Sequence, residues 1–227
     1  MARPLHGLGL LTNLQQAFLR LFSGLPDQGQ FYLTGGTALS EYYFGHRLSL
    51  DLDLFTGVDD LVRPMSYQVE RAIAKQRMQV MIVRRLSTIV ELAVALGGES
   101  VKVEMALDSP FRFAPPVPAE TGVLVNDYAD LRVDKLLAYY GRAEPRDAVD
   151  LYFILQREPL PPLLSQAAQK DPGFDLYWFA VALNRSATFP DEPERWPVQM
   201  LVPWQPVAIK ECFGRLALDI THGLVPG

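Results

Sequence analysis

Cysteine is almost missing from this chain of 227 residues: the one residue of its kind, Cys212, can close no internal disulfide and offers no cluster for zinc. That suits a reducing compartment and sets a cytoplasmic protein as the expectation. An apolar run of the ~20 residues that a membrane span requires is also missing, and the opening residues, MARPLHGLGLLTNLQQAFLRLF, lack the cleavage pattern of a signal peptide. Positive charge is scarce. With 21 Lys and Arg against 26 Asp and Glu, the net charge is −5, which excludes a protein that holds nucleic acid by bulk electrostatics. Any polynucleotide partner must be gripped locally. Basic residues gather in Lys75 to Arg85 and in Arg132 to Arg146, and each run reads first as a solvated helix face. There is no internal repeat and no low-complexity tract.

What is present can build a core: 49% of residues are hydrophobic and 11% aromatic. Periodicity predicts a helix from about Leu11 to Phe22, a short strand at Phe31 to Leu33, a glycine turn, a helix from Ala38 to Phe44, a strand from Leu50 to Phe55 and a helix from Met65 to Gln76. Several strands follow, among them Ile89 to Leu96 and Val101 to Leu107, joined as a hairpin through Gly97, Gly98, Glu99 and Ser100. Prolines 110, 115, 116 and 118 mark a linker. Beyond it the pattern is helical: Tyr128 to Tyr140, a stop at Gly141, a new start at Pro145 running to Gln156, an aromatic helix around Asp175 to Leu183, a proline-rich crossing, and a last helix from Val207 to about Ile220. The expected class is α+β, with a mixed-sheet domain over residues 1–114 and a mainly helical domain over residues 115–227.

In FYLTGGTALSEYYF a β-type run breaks at Gly35 and Gly36, and a helix begins at once. Glycines let a ligand approach the backbone, and the first turn of a helix offers unpaired amides and the positive end of its dipole, so the junction is a candidate phosphate site, with the Thr37 hydroxyl beside it. An ordinary tight turn has the same local pattern. Fifteen residues on, HRLSLDLDLF alternates leucines with Ser49, Asp51, Asp53 and Phe55. On a strand, Asp51 and Asp53 share one face with their β-carbons ~7 Å apart, a spacing that suits hard cations such as Mg²⁺. Two charged aspartates side by side on a strand repel each other unless a cation neutralises them. A two-metal site needs a third carboxylate. Glu104, in VKVEMAL and pointing the same way as Lys102, is the candidate, with Glu91 and Asp108 as rivals.

GGTAL, then HRLSLDLDLF, then DKLLAYYGRAEPRDAVDLYFIL resembles, in that order, the AbiEii/AbiGii family of toxin nucleotidyltransferases, within the DNA polymerase β-like superfamily. The likeness runs from about Phe31 to Leu155. It implies that Gly35, Gly36 and Thr37 hold a nucleoside triphosphate, that Asp51 and Asp53 bind Mg²⁺ ions, with Glu104 the candidate third carboxylate of a two-metal site, that Lys135 contacts phosphate, and that Asp147 or Asp150 is functionally required. By spacing, Lys135 and Arg142 share a helix face and Arg146 starts the next helix, so all three are candidates for the nucleotide. Arg47 reads as a structural or phosphate-facing charge; His46 has no assigned role.

The function implied is transfer of a nucleotide to an acceptor hydroxyl with release of pyrophosphate. The resemblance points to RNA, the 3′ end of tRNA, as acceptor and to an antitoxin protein as partner, with no membrane involved. A small-molecule acceptor such as an aminoglycoside is the competing reading, and a protein that binds nucleotide or antitoxin without catalysis is another.

Overall fold

A computed structural model describes residues 3–223, which divide between Tyr128 and Ala129 into two compact units. The first unit is one mixed sheet of seven strands with helices. Helix α1 (Asn13–Ser23) starts where Thr12 and Gln15 cap each other's backbone amides, and it buries Leu14, Phe18, Leu19 and Phe22. Strand β1 (Tyr32–Thr34) runs straight into α2 (Gly35–Leu39) and then a π turn (Ser40–Phe44) that ends at Gly45 in the left-handed region. The helix therefore opens on Gly35 itself, three residues before the expected start. The glycines form its first turn.

Strand β2 (Leu52–Thr56), helix α3 (Val62–Ile73), and strands β3 (Gln79–Arg85), β4 (Ile89–Leu96) and β5 (Glu99–Leu107) follow, then the two-residue strands β6 (Val117–Pro118) and β7 (Leu124–Val125). The strand order is β3-β4-β5-β2-β1-β7-β6. β2 is antiparallel to β1 and parallel to β5, and β1 is parallel to β7. The prolines after Ser109 thus lead into two further strands of the same sheet. β4 and β5 pair through to Leu96 and Glu99, and Gly97 and Gly98 both have positive φ. The predicted hairpin forms with a two-residue turn of the type that matches strand twist. The basic run of Lys75 to Arg85 lies in the turn after α3 (Lys75, Arg77) and on the edge strand β3 (Arg84, Arg85), not on a helix face.

One sheet face supplies the core, with Leu52, Leu54, Val90, Leu92, Val94, Val103 and Met105 buried against α1 and α3. Leu50, expected to join them, is 60% exposed because β2 starts two residues later. Alternation then leaves Asp53, Glu104 and Glu91 on the opposite face.

The second unit holds α4 (Tyr128–Arg142), α5 (Pro145–Leu155), α6 (Leu160–Lys170), α7 (Leu176–Arg185) and α8 (Pro206–Thr221). α6 is an element the sequence reading passed over: its LPPLLSQAAQK opens with prolines, which are tolerated in the first turn of a helix. α4 passes through Gly141 to end at Arg142. Tyr139 packs edge-on against Phe213 of α8 at 5.1 Å and donates its hydroxyl to the Ala182 carbonyl of α7 at 3.0 Å. Among the described residues, no helix is long and apolar enough to cross a membrane.

Candidate active site

The Gly-Gly turn is constrained by what packs against it. Gly35 has φ of 71°, where glycine alone is unstrained, and a methyl group there would overlap Asp53 Oδ2. At Gly36 a methyl group would meet Arg47 Nη2 at 2.5 Å and Ser49 Oγ at 2.8 Å. The two glycines therefore let a carboxylate, a guanidinium and a hydroxyl close on one short stretch of backbone. Thr37 is buried, and its hydroxyl donates to the Asp51 carbonyl. That bond ties the turn to the residue preceding β2, so the Thr37 side chain braces Asp51 in this structure.

Across the strands, Asp53 is in register with Thr34 of β1 on one side and Glu104 of β5 on the other, and Glu104 is in register with Glu91 of β4. Residues in register share a face, so an acidic row runs from Asp53 outward. Lys102 sits within it, 3.5 Å from both Glu104 and Glu91. Desolvation pulls the Lys102 ammonium down, but the charges of Glu104 and Glu91, the hydrogen bond it donates to Glu104 and the charge of Asp51 together hold it above the usual lysine range. Glu91 is also paired with Arg84 at 3.0 Å. Asp108 accepts from the Tyr32 hydroxyl at 2.5 Å and the Ser109 amide at 2.8 Å. Beyond the end of β5, it belongs to a different network from Asp53.

These residues suit a hard cation. Half-buried carboxylates stand on one face beside a glycine turn, and magnesium is commonly held by one or two carboxylates with phosphate and water oxygens completing its shell. Among the described residues, no three His, Cys, Asp or Glu side chains are gathered closely enough to hold a metal by themselves. Glu104 lies 3.5 Å from Lys102. A cation held at Asp51 and Asp53 would supply charge neutralisation to a bound polyphosphate.

In the second unit the candidate cations each face an acid. Lys135 Nζ lies 2.7 Å from Asp150 Oδ2, with both side chains buried. Arg142 grips Asp147 with two bonds, Nε to Oδ2 at 2.5 Å and Nη2 to Oδ1 at 2.7 Å. Arg146 is 3.7 Å from Glu144 on the surface. His46 is buried edge-on to Phe44, 5.7 Å between ring centres, as a packing residue. Sequence reasoning left Ser49 and Lys102 out of the candidate set, although both carry the alternation of Asp51, Asp53 and Glu104, and that parity was the available signal.

A mixed sheet carrying a glycine turn against paired aspartates, followed by a helical unit, is the fold of a nucleotidyltransferase. The match to a family model extends over residues 17–171, and the chain belongs to that family, described as nucleotidyl transferase AbiEii toxin, type IV toxin–antitoxin system. Similar solved structures include a candidate nucleotidyltransferase from H. pylori (18% identity, 93% of each chain covered, TM-score 0.60). JHP933 from Helicobacter pylori is 17% identical, with 93% of this chain and 90% of that one covered and a TM-score of 0.56. The nucleotidyltransferase toxin MenT4 from Mycobacterium tuberculosis H37Rv is 17% identical, with 91% and 81% covered and a TM-score of 0.57. A search of curated proteins finds no match.

Proposed function

We propose that this nucleotidyltransferase toxin transfers a nucleoside monophosphate from a nucleoside triphosphate to a hydroxyl of RNA, the 3′ end of tRNA, in the cytoplasm, and that an antitoxin protein counters it. The observation that carries the proposal is the closure of Asp53, Arg47 and Ser49 on the Gly35-Gly36 turn, which joins an anion-binding backbone to a cation-binding carboxylate. In this reading the turn holds the triphosphate, with Arg47 as a fixed positive charge beside Gly36. Asp51 and Asp53 would hold Mg²⁺, either one ion or the pair that phosphoryl transfer often uses, which when bound would supply neutralising charge to the phosphates. Glu104, one strand from Asp53 and beside the Lys102 ammonium, takes the proton of the acceptor hydroxyl.

Lys135 is assigned to phosphate contact. An ammonium has three donors, so its pair with Asp150 does not exhaust it. Asp150 orients that lysine, and Asp147 fixes Arg142 at the junction of α4 and α5. Arg142 and Arg146 are thereby left to bear on the nucleotide only through charge.

The test is transfer of label from each α-³²P nucleoside triphosphate, with Mg²⁺, onto total cellular RNA, by wild type and by Asp51→Ala. Label on RNA that disappears in the variant is the expected result. Label on a small cationic acceptor but not on RNA would move the assignment to a small-molecule transferase, for which the acidic row of Asp53, Glu104 and Glu91 is the supporting feature. Absence of transfer to either would leave a binding protein.

A further inference from the structure

Thr34 is the residue at which α2 starts, in extended backbone conformation, and a threonine there ordinarily turns its hydroxyl onto the second or third amide of the helix. Here it makes no such bond. Its Oγ1 instead accepts from Asn126 Nδ2 at 2.9 Å. Asn126 is fully buried, and its amide has a determined orientation, because its Oδ1 accepts from Arg112, a group that can only donate. Arg112 is itself held by the Ala114 carbonyl at 3.2 Å and by the face of the Tyr32 ring, 4.3 Å away. The Asn126 backbone is also fixed: its N–H donates to the Leu33 carbonyl at 2.8 Å, and its carbonyl accepts from the Tyr43 hydroxyl at 2.8 Å. Asn126 thus grips the chain immediately before the Gly-Gly turn and again at the end of the helical run that follows it, from Gly35 to Phe44.

We infer that Asn126 is a positioning residue for nucleotide binding, which draws the Thr34 hydroxyl off the amides of Gly36 and Thr37 so that the turn stays open to phosphate. The inference rests on the reading of that turn as the triphosphate site. Without Asn126, Thr34 rotates and caps its own helix, and a triphosphate must first break that cap. A cap of ordinary strength competes with nucleotide by about fivefold in affinity. Arg112 sets the direction of the effect, because its bond to Asn126 Oδ1 leaves the Nδ2 end of the amide facing Thr34.

The experiment measures the dissociation constant of a non-hydrolysable nucleoside triphosphate analogue with Mg²⁺ for wild type, Asn126→Leu, and Asn126→Leu with Thr34→Val, together with amide hydrogen exchange at Gly36 and Thr37 in the free proteins. Asn126→Leu is expected to bind about fivefold more weakly with Gly36 or Thr37 newly protected, and the double variant, which has no hydroxyl to cap with, recovers to within about twofold. A double variant as weak as the single one, at equal melting temperature, would mean that Asn126 acts only through the fold, and the inference falls. Should Asn126→Leu not fold, Arg112→Met frees the same amide with Asn126 in place and is expected to shift binding and exchange in the same direction; unchanged binding overturns the inference. If wild type binds no nucleotide, the reading of the site fails, and exchange still decides the role of Asn126: protected Gly36 and Thr37 amides in the free wild type would refute it.

Discussion

Carboxylates are used in opposite ways in the two units. On the open face of the sheet, Asp53, Glu104 and Glu91 stand in one row of half-buried acids with Lys102 near two of them. In the helical unit, Asp150, Asp147 and Asp130 are buried and each has a cation within 2.8 Å: Lys135, Arg142 and Lys170. Buried charges that are neutralised by the protein hold helices in one arrangement, because any other arrangement leaves an ion unpaired in a medium of low dielectric constant. At a half-exposed face solvent screens the charges, so the pairs made there contribute little to the fold. The same residue type is matched to a buried cation in the helices and shares a half-exposed lysine along the sheet.

That contrast breaks most visibly at Asp150. Asp150→Ala leaves the Lys135 ammonium buried without its partner and is expected to cost about 3–5 kcal/mol, read by denaturant unfolding. Replacing both partners, Lys135→Met with Asp150→Leu, is expected to recover most of that stability, and labelled transfer would still be lost. Asp53→Ala should behave in the reverse sense. A loss of about 4 kcal/mol of transition-state stabilisation, or about a thousandfold in labelled transfer, is expected, with a smaller change in stability than at Asp150, since Asp53 is half-exposed and aspartate is a poor strand residue.

Smaller effects sharpen the same division. Arg142→Ala strands the buried Asp147 carboxylate near the surface, with an expected loss of about 1–3 kcal/mol in thermal unfolding. Gly35→Ala forces a side chain into the left-handed region, costing about 1–2 kcal/mol, and displaces Asp53, so transfer should fall further than stability does. The smallest effect is expected at Lys102. Its folded value is raised, so its attraction to Glu104, Glu91 and Asp51 is fully present below the ordinary lysine range and is lost as pH climbs through the higher folded value. For an exposed pair this amounts to about 0.2–1 kcal/mol; Lys102→Met should remove that part of the alkaline dependence of unfolding.

Much of the site was legible because its signals are local. Gly35 and Gly36 between a β run and a helix, and the alternation of Asp51 and Asp53 with leucines, depend on residues within about a dozen positions of each other. The position of Glu104 beside Asp53 depends on β2 and β5 lying parallel across some fifty residues of chain, which no local pattern encodes. Arg47 and Ser49 stood in plain view in HRLSLDLDLF, yet their closure on Gly36 is a tertiary fact. Asn126 carries no motif at all. Its hydrogen bonds reach β1, the π turn and Arg112, and such a residue is visible only once those segments are in place.

By itself the sequence determined the class of fold, the helix and strand periods, the glycine turn and the aspartate pair, because each follows from local residue chemistry or from side-chain spacing against a repeat of 2 or about 3.6 residues. Only the tertiary structure decided that Leu50 is exposed, that the proline-rich stretch adds β6 and β7 to the sheet, and that Lys135 and Asp150 neutralise each other out of water. Strand order and buried charge pairing join residues distant in sequence, and their energies exist only after the chain has closed the loops between them.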